Sequence, residues 1–146
     1  MIQRWQTVFL FFAFLAFAAL FKFPFAGSEM QSAGFLADKQ YDVFDNVFLL
    51  VLTSLGGLIA ISAIFLFKNR ILQLRFSNLS IIINVLILVV AVVLFYNEAK
   101  NMIDNNGEIF DSAGLYMPFA GILSGILASV FIRKDEKIVR NMDRLR

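Results

Sequence analysis

The sequence predicts an all-α fold: an integral membrane four-transmembrane-helix bundle, N-in/C-in, with a cytoplasmic C-terminal helical extension. Three observations carry this reading. Four stretches, Trp5–Phe21, Asn46–Phe67, Phe76–Asn97 and Ser112–Ile132, contain no charged residue. Each is near the ~20 residues that cross about 30 Å of hydrocarbon at 1.5 Å per residue. Hydrophobic residues make up 60% of the chain and charged residues 16%, against roughly 45–50% and about 25% in soluble domains. A soluble domain of 146 residues leaves roughly 30% of its unfolded surface in water, so the 18 Phe residues are easier to accommodate in lipid. Finally, Lys and Arg collect at alternate boundaries of the four stretches.

The elements form a single membrane domain, 1–146, with spans at about 5–23, 46–67, 76–97 and 112–132 and a tail at 133–146. The first span follows Arg4 and gains length because Lys22 can snorkel to the headgroups. Phe23 and Phe25 extend its apolar contact, and Pro24 ends the helix. Arg4 before an apolar run with Ala16-Phe17-Ala18 also suits a cleaved signal peptide. The run exceeds the usual 7–15-residue core of such a peptide, so an uncleaved span is expected. The third span shows the energetics most clearly. Between Phe76 and Phe95 it holds fifteen Leu, Ile, Val or Phe residues, worth on the order of −5 to −9 kcal/mol of insertion free energy. Asn84 interrupts it, yet even at the ~3.5 kcal/mol of a full charge it would not prevent insertion.

Loop charges set the orientation. Arg4, Lys68, Arg70, Arg75, Arg133, Lys134, Lys137, Arg140, Arg144 and Arg146 fall on one side, and only Lys22, Lys39 and Lys100 on the other. The positive-inside rule places the first group in the cytoplasm. The outer loops, Lys22–Asp45 and Glu98–Asp111, are acidic and too short for a folded catalytic domain. Asn105-Asn106-Gly107 is a turn signal of the kind that closes a small hairpin.

Several chemistries are excluded or weakened by composition. The chain has no Cys and no His, which removes disulfides, thiolates, His-ligated haem and the common zinc sites. It also removes the commonest acid–base side chain near neutral pH. A net charge of +2 gives no nucleic-acid footprint. No ionisable residue lies inside a span, which weakens both a proton-coupled transporter and an intramembrane enzyme. No cofactor and no metal are expected. Asp104, Glu108 and Asp111 invite a calcium reading, but the D-x-[DN]-x-[DN]-G order is missing, and a solvated acidic loop accounts for them better.

The candidate functional residues fall into two groups. Gly121, Gly125 and Ser129 repeat every four residues in the fourth span, and Thr53, Gly56, Gly57 and Ala60 form a similar patch in the second. Small residues at this spacing let helix backbones approach closely. That approach serves either packing within the bundle or docking of another protein. Asn84 shares a stripe of the third span with Ser77, Ser80 and Ala91. It is either interhelical glue or part of a substrate path. The second group is the cytoplasmic boundary: Arg4, Lys68, Arg70, Arg75, Arg133, Lys134, Asp135, Glu136, Arg140, Asp143, Arg144 and Arg146. There the tail continues the fourth helix, with Ile138, Met142 and Leu145 on one face. Lipid headgroups or the Lys68–Arg75 loop could receive it.

Three segments carry a family resemblance: Met1-Ile-Gln-Arg-Trp-Gln-Thr7, Phe67-Lys-Asn-Arg-Ile-Leu-Gln-Leu-Arg75, and Arg133-Lys-Asp-Glu-Lys-Ile-Val-Arg140 leading into Asp143-Arg-Leu-Arg146. Together they resemble the uncharacterised bacterial membrane family catalogued as domain of unknown function 4293, over the whole chain. The resemblance implies a four-helix inner-membrane protein with a cytoplasmic C-terminal helix. It brings no activity and no catalytic residue. The functional expectation is a non-enzymatic accessory or scaffold subunit of a larger membrane complex, in contact with the lipid bilayer and with another inner-membrane protein or itself. The alternative is a small oligomeric transporter or channel for a small solute.

Overall fold

The first helix, α1 (Gln3–Leu20), runs through the Phe- and Ala-rich segment and stops short of the expected end near residue 23. The N–H groups of Phe21 and Lys22 donate to the Ala18 and Ala19 carbonyls at 3.3 and 3.0 Å, so the last turn tightens. Pro24 disfavours helical backbone at Phe23 and has no N–H to continue the ladder. In the computed structural model, residues 3–28, 38–103 and 109–143 are described. Glu29, Asp104, the Asn105-Asn106-Gly107 turn, Glu108, Arg144 and Arg146 lie outside the described residues. So do the side chains of Arg4, Arg140 and Asp143.

Helix α2 (Val47–Phe65) starts where the Asn46 side chain accepts from the Phe48 N–H at 2.8 Å, satisfying one of the four orphan donors of a helix start. It passes into a short 3-10 helix, Leu66–Lys68. Asn69 then serves both ends of the turn. Its N–H donates to the Leu66 carbonyl at 2.9 Å, and its side chain accepts from the Leu72 N–H at 3.2 Å. Helix α3 (Arg70–Ile103) begins at the next residue and is 34 residues long, about 51 Å at 1.5 Å per residue. It extends beyond the expected span at both ends, because a helix satisfies its backbone equally well in water and in hydrocarbon. Helix α4 (Met117–Asp143) follows a second 3-10 turn, Ala113–Tyr116, and continues unbroken through the expected span into the tail.

Around the ring of the bundle, α1 packs on α2 and α4, and α3 packs on α2 and α4. Sequential helices are therefore neighbours in an up-and-down arrangement. Residues near Gln6, Asn69 and Asp135 share one end, called here the terminal end. At the other end three short strands from the connecting segments form an antiparallel sheet. Strand β1 (Ala26–Ser28) lies at its centre, between β2 (Gln40–Tyr41) and β3 (Ile109–Asp111). Ala26 faces Tyr41 on one side and Asp111 on the other. Strand β3 thus pairs with a partner distant in sequence.

The Tyr41 hydroxyl donates to the Ala91 carbonyl at 3.2 Å, and its ring lies 5.6 Å from Phe25 and 5.7 Å from Phe95. The sheet is thereby fastened to α3. Phe17, Leu20, Val43, Leu49, Ile83 and Ile87 complete the core beneath it. A second, smaller core of Leu10, Ala63 and Ala128 lies toward the terminal end.

The distribution of polarity is the reverse of a soluble bundle's. Phe11, Phe12, Phe48, Leu58, Phe65, Val89, Val93, Leu123 and Val130 are exposed, while Thr53, Gln73, Ser77, Ser80, Asn84 and Ser129 are buried. By length and composition, α2, α3 and α4 contain stretches long and apolar enough to cross a membrane. The corresponding part of α1, Trp5–Leu20, is shorter.

Candidate functional site

The buried polar groups are arranged rather than scattered. On α3, Gln73, Ser77, Ser80 and Asn84 follow one another at four, three and four residues, so they form one inward stripe. The stripe rises about 16 Å along the axis and then turns apolar at Ile87 and Ala91. It begins near the terminal end and stops near the middle of the bundle. Facing it on α4, the Ser129 hydroxyl donates to Asn78 Oδ1 at 3.0 Å and lies 3.0 Å from the Ser77 hydroxyl. Ser77 also reaches the Gly125 carbonyl at 3.3 Å. Higher up, the Asn84 Nδ2 donates to the Ser80 carbonyl of its own helix at 3.2 Å.

The glycines explain how the helices come close enough for these bonds. A Cβ added at Gly121 would stand 2.8 Å from both Asn84 amide atoms, and one at Gly125 would stand 2.6 Å from Ile81 Cγ1. On α2, a Cβ at Gly56 would fall 2.2 Å from the Phe17 ring, whereas one at Gly57 would meet Phe17 at an ordinary 3.6 Å. The sequence left open whether these faces pack within the chain or dock another protein. In the structure Gly121, Gly125, Ser129 and Gly56 are occupied by α1 and α3 of the same chain. Asn84 is fully buried. The five buried side-chain atoms without a hydrogen-bond partner among the described residues are Thr53 Oγ1, Gln73 Oε1, Ser80 Oγ, Asn84 Oδ1 and Asp135 Oδ1.

At the terminal end three segments converge. The Gln6 Nε2 donates to the Asp135 carboxylate and to the Phe131 carbonyl at 3.3 Å. The Arg70 guanidinium donates to the Asp135 carbonyl at 2.7 Å, and Phe9 stacks on Phe131 at 5.4 Å. Asp135, one of the cytoplasmic-boundary residues, is only 5% exposed. The reason is periodicity. Gly121, Gly125, Ala128, Ile132 and Asp135 recur every three or four residues, so the buried stripe of α4 runs past the last apolar residue and takes Asp135 inward. Lys68, Arg75, Arg133, Lys134 and Lys137 are exposed, and Arg70 and Glu136 are half-buried. The first turn of the tail therefore belongs to the bundle, and its basic residues surround this end.

Two hollows accompany these contacts. The larger, about 760 Å³, opens sideways between α1 and α2 and has Gln6 and Arg70 at one end. The smaller, about 120 Å³, lies under the sheet beside Tyr41, Ala91 and Phe95. Asn84 lines neither of them. Among the described residues no group of three or more His, Cys, Asp or Glu could hold a metal ion, and Asp111 is exposed on β3.

Fold and site together define a four-helix bundle with an apolar flank, a polar half-seam inside, and three helices long and apolar enough to cross a membrane. The chain belongs to the family described as Domain of unknown function (DUF4293), whose model matches residues 2–145. No curated protein and no solved structure matches it.

The buried polar set contains two residues that reading by motif did not single out, Gln6 and Gln73. Gln73 could have been found by extending the buried period of α3. The Gln6–Asp135 pair joins positions 129 apart in sequence, and no local pattern announces it.

Proposed function

We propose that this protein spans a bacterial inner membrane four times with both termini in the cytoplasm, and serves as a non-enzymatic accessory or scaffold subunit of a membrane assembly. The observation that carries the reading is the inverted polarity of the bundle. Side chains such as Phe48 and Val47, each 75% exposed, stand on the flank, while hydroxyls and amides are sealed inside. Water would penalise both arrangements, whereas a bilayer favours apolar flanks and leaves buried polar groups to join the helices. Helix α1, 18 residues long and thus ~27 Å, approaches the ~30 Å hydrocarbon thickness. Exposed Lys and Arg at the terminal end suit the cytoplasmic face. Asn84, closed in against Gly121, supports a structural role for the seam over a reaction centre.

The test is purification of the full chain from its native membrane in mild detergent. The expected result is retention in the membrane through alkaline carbonate and copurification of a stoichiometric partner or a defined oligomer. A solitary monomer would contradict the subunit role.

A second reading, a small oligomeric transporter or channel, draws on Thr53 Oγ1, Ser80 Oγ and Asn84 Oδ1 in the bundle interior, which have no hydrogen-bond partner among the described residues. Solute flux through reconstituted vesicles that disappears in Asn84→Leu would establish it in place of the subunit role.

A further inference from the structure

We propose that the lateral groove between α1 and α2 binds one anionic phospholipid, its phosphate held at Arg70 and the upper part of an acyl chain lying against Phe11, Phe12 and Phe65. This rests on the membrane reading above, under which the groove opens into the bilayer.

The groove has the polarity of an amphiphile. Its walls, Val8, Phe11, Phe12, Ile64, Phe65 and Phe67, are apolar, and among the described residues its polar lining is Gln6, Thr7 and Arg70. Its ~760 Å³ lies within the range of about 300–1,000 Å³ typical of ligand clefts. Gln6 and Arg70 mark its terminal end, because both bond Asp135 there. Phe12, six residues beyond Gln6 on α1, lies ~9 Å further along the axis. That distance takes an occupant from the headgroup boundary into the hydrocarbon.

The charge at the polar end is available to a ligand. One Arg70 N–H is used by the Asp135 main-chain carbonyl, a neutral acceptor, and the guanidinium has further donors. Among the described residues no carboxylate forms an ion pair with it. The nearby Asp135 carboxylate accepts instead from Gln6, whose side chain forms part of the groove wall. A guanidinium presents several donors in a plane, suited to two oxygens of a phosphate. Exposed Lys68, two residues before it, strengthens the positive field. A phospholipid is also the one molecule that supplies phosphate and chain together at this depth. A protein segment would need its own anionic group at the same place.

The experiment uses the full chain purified in mild detergent, stripped of lipid, and titrated with phosphatidylglycerol, phosphatidylcholine or inorganic phosphate under native mass spectrometry. We expect one phosphatidylglycerol retained per chain, preferred about tenfold over phosphatidylcholine, roughly the effect of one charge-assisted contact. Arg70→Gln should erase the preference while Arg70→Lys keeps part of it. Val8→Trp should fill the groove and release both lipids with thermal stability unchanged. Equal retention of the two lipids, binding of inorganic phosphate alone, or a lipid-free dimer broken by Val8→Trp would each overturn the proposal. Release of the native chain by alkaline carbonate would sink the membrane reading beneath it. Retention in the membrane without lipid preference sinks this proposal alone.

Discussion

Gly56 and Gly57 are adjacent, both helical and both buried, yet the geometry assigns them opposite responses to alanine. Either substitution restricts the unfolded chain and favours the helix, by up to about 1 kcal/mol. At Gly57 the new methyl meets Phe17 Cβ at 3.6 Å, a normal van der Waals distance, so Gly57→Ala should stabilise by ~0.5–1 kcal/mol. At Gly56 it would stand 2.2 and 2.5 Å from two ring carbons of Phe17 and 2.9 Å from Ile83 Cγ2. Carbon atoms prefer roughly 3.5–4.0 Å, so the ring must withdraw by more than about 1 Å. Phe17 is fully buried and has no open space to enter. Overpacking of this kind costs about 1–3 kcal/mol. Gly56→Ala should therefore end ~0–2 kcal/mol less stable than the native chain, despite its gain in helix propensity. Unfolding of the purified protein in detergent, by heat or by titrated denaturing detergent, measures both variants. In a Phe17→Leu background the penalty at position 56 should shrink while the effect at 57 changes little. Equal effects at the two positions, or a more stable Gly56→Ala, would refute the packing of α2 on α1.

Three further outcomes follow from local geometry. A Cβ at Gly114 would lie 2.3 Å from the carbonyl oxygens of both Phe23 and Pro24, and backbone cannot rotate away. Gly114→Ala should cost about 2–4 kcal/mol, from overpacking plus loss of the Gly114 N–H to Pro24 carbonyl bond, and a cost under 1 kcal/mol in the same assay would show that the Ala113–Tyr116 turn does not seat on Phe23 and Pro24. A double-mutant cycle of Ser77→Ala and Ser129→Ala should give a coupling of about 0.6 kcal/mol, the usual size for such interhelical bonds, and no coupling would separate the two hydroxyls. Burial, with the charges of Asp42 and Asp38, raises the Asp45 carboxyl to about 6 from 3.8, against the opposing bond from the Asp42 N–H. The folded state then holds this proton more tightly than the unfolded one, so stability falls as pH rises between about 4 and 6 and levels off above. Asp45→Asn should melt progressively higher than the native chain across that window, and a pH-independent difference would contradict the assignment.

The helices were legible in the sequence because lipid-compatible segments advertise themselves by length, by absence of charge and by the basic residues at their boundaries. Their ends were less so. Arg70, Arg75 and Lys100 lie inside α3, since a charged residue ends an apolar stretch without ending a helix. The sheet was illegible for a different reason. Strands of two or three residues show no alternation, and β3 pairs with β1 across most of the chain. The small-residue patches and Asn84 were found from spacing alone, and the structure adds their partners, Phe17, Ile81 and Ser80. At the terminal end Arg70 and Asp135 were legible as boundary residues, but their contact with each other and with Gln6 was not. Asp135 is a polar residue that sits on the buried period of α4, where Gln6 reaches it from the opposite end of the sequence. The groove could not be read at all, being made by residues of four elements.

The most direct test of the account is the side of the membrane on which the two ends of the bundle lie. The native chain contains no Cys, so single cysteines at Asp38, Asn69, Asp111 and Asn141, all exposed in the fold, give an unambiguous readout with a thiol reagent that cannot cross the inner membrane. In intact cells the cysteines at 38 and 111, at the sheet end, should label once the reagent reaches the periplasm. Those at 69 and 141, at the terminal end, should label only after the cells are broken. Labelling of 69 and 141 in intact cells, or equal labelling of all four positions, would contradict a bundle that crosses the membrane four times with both termini inside.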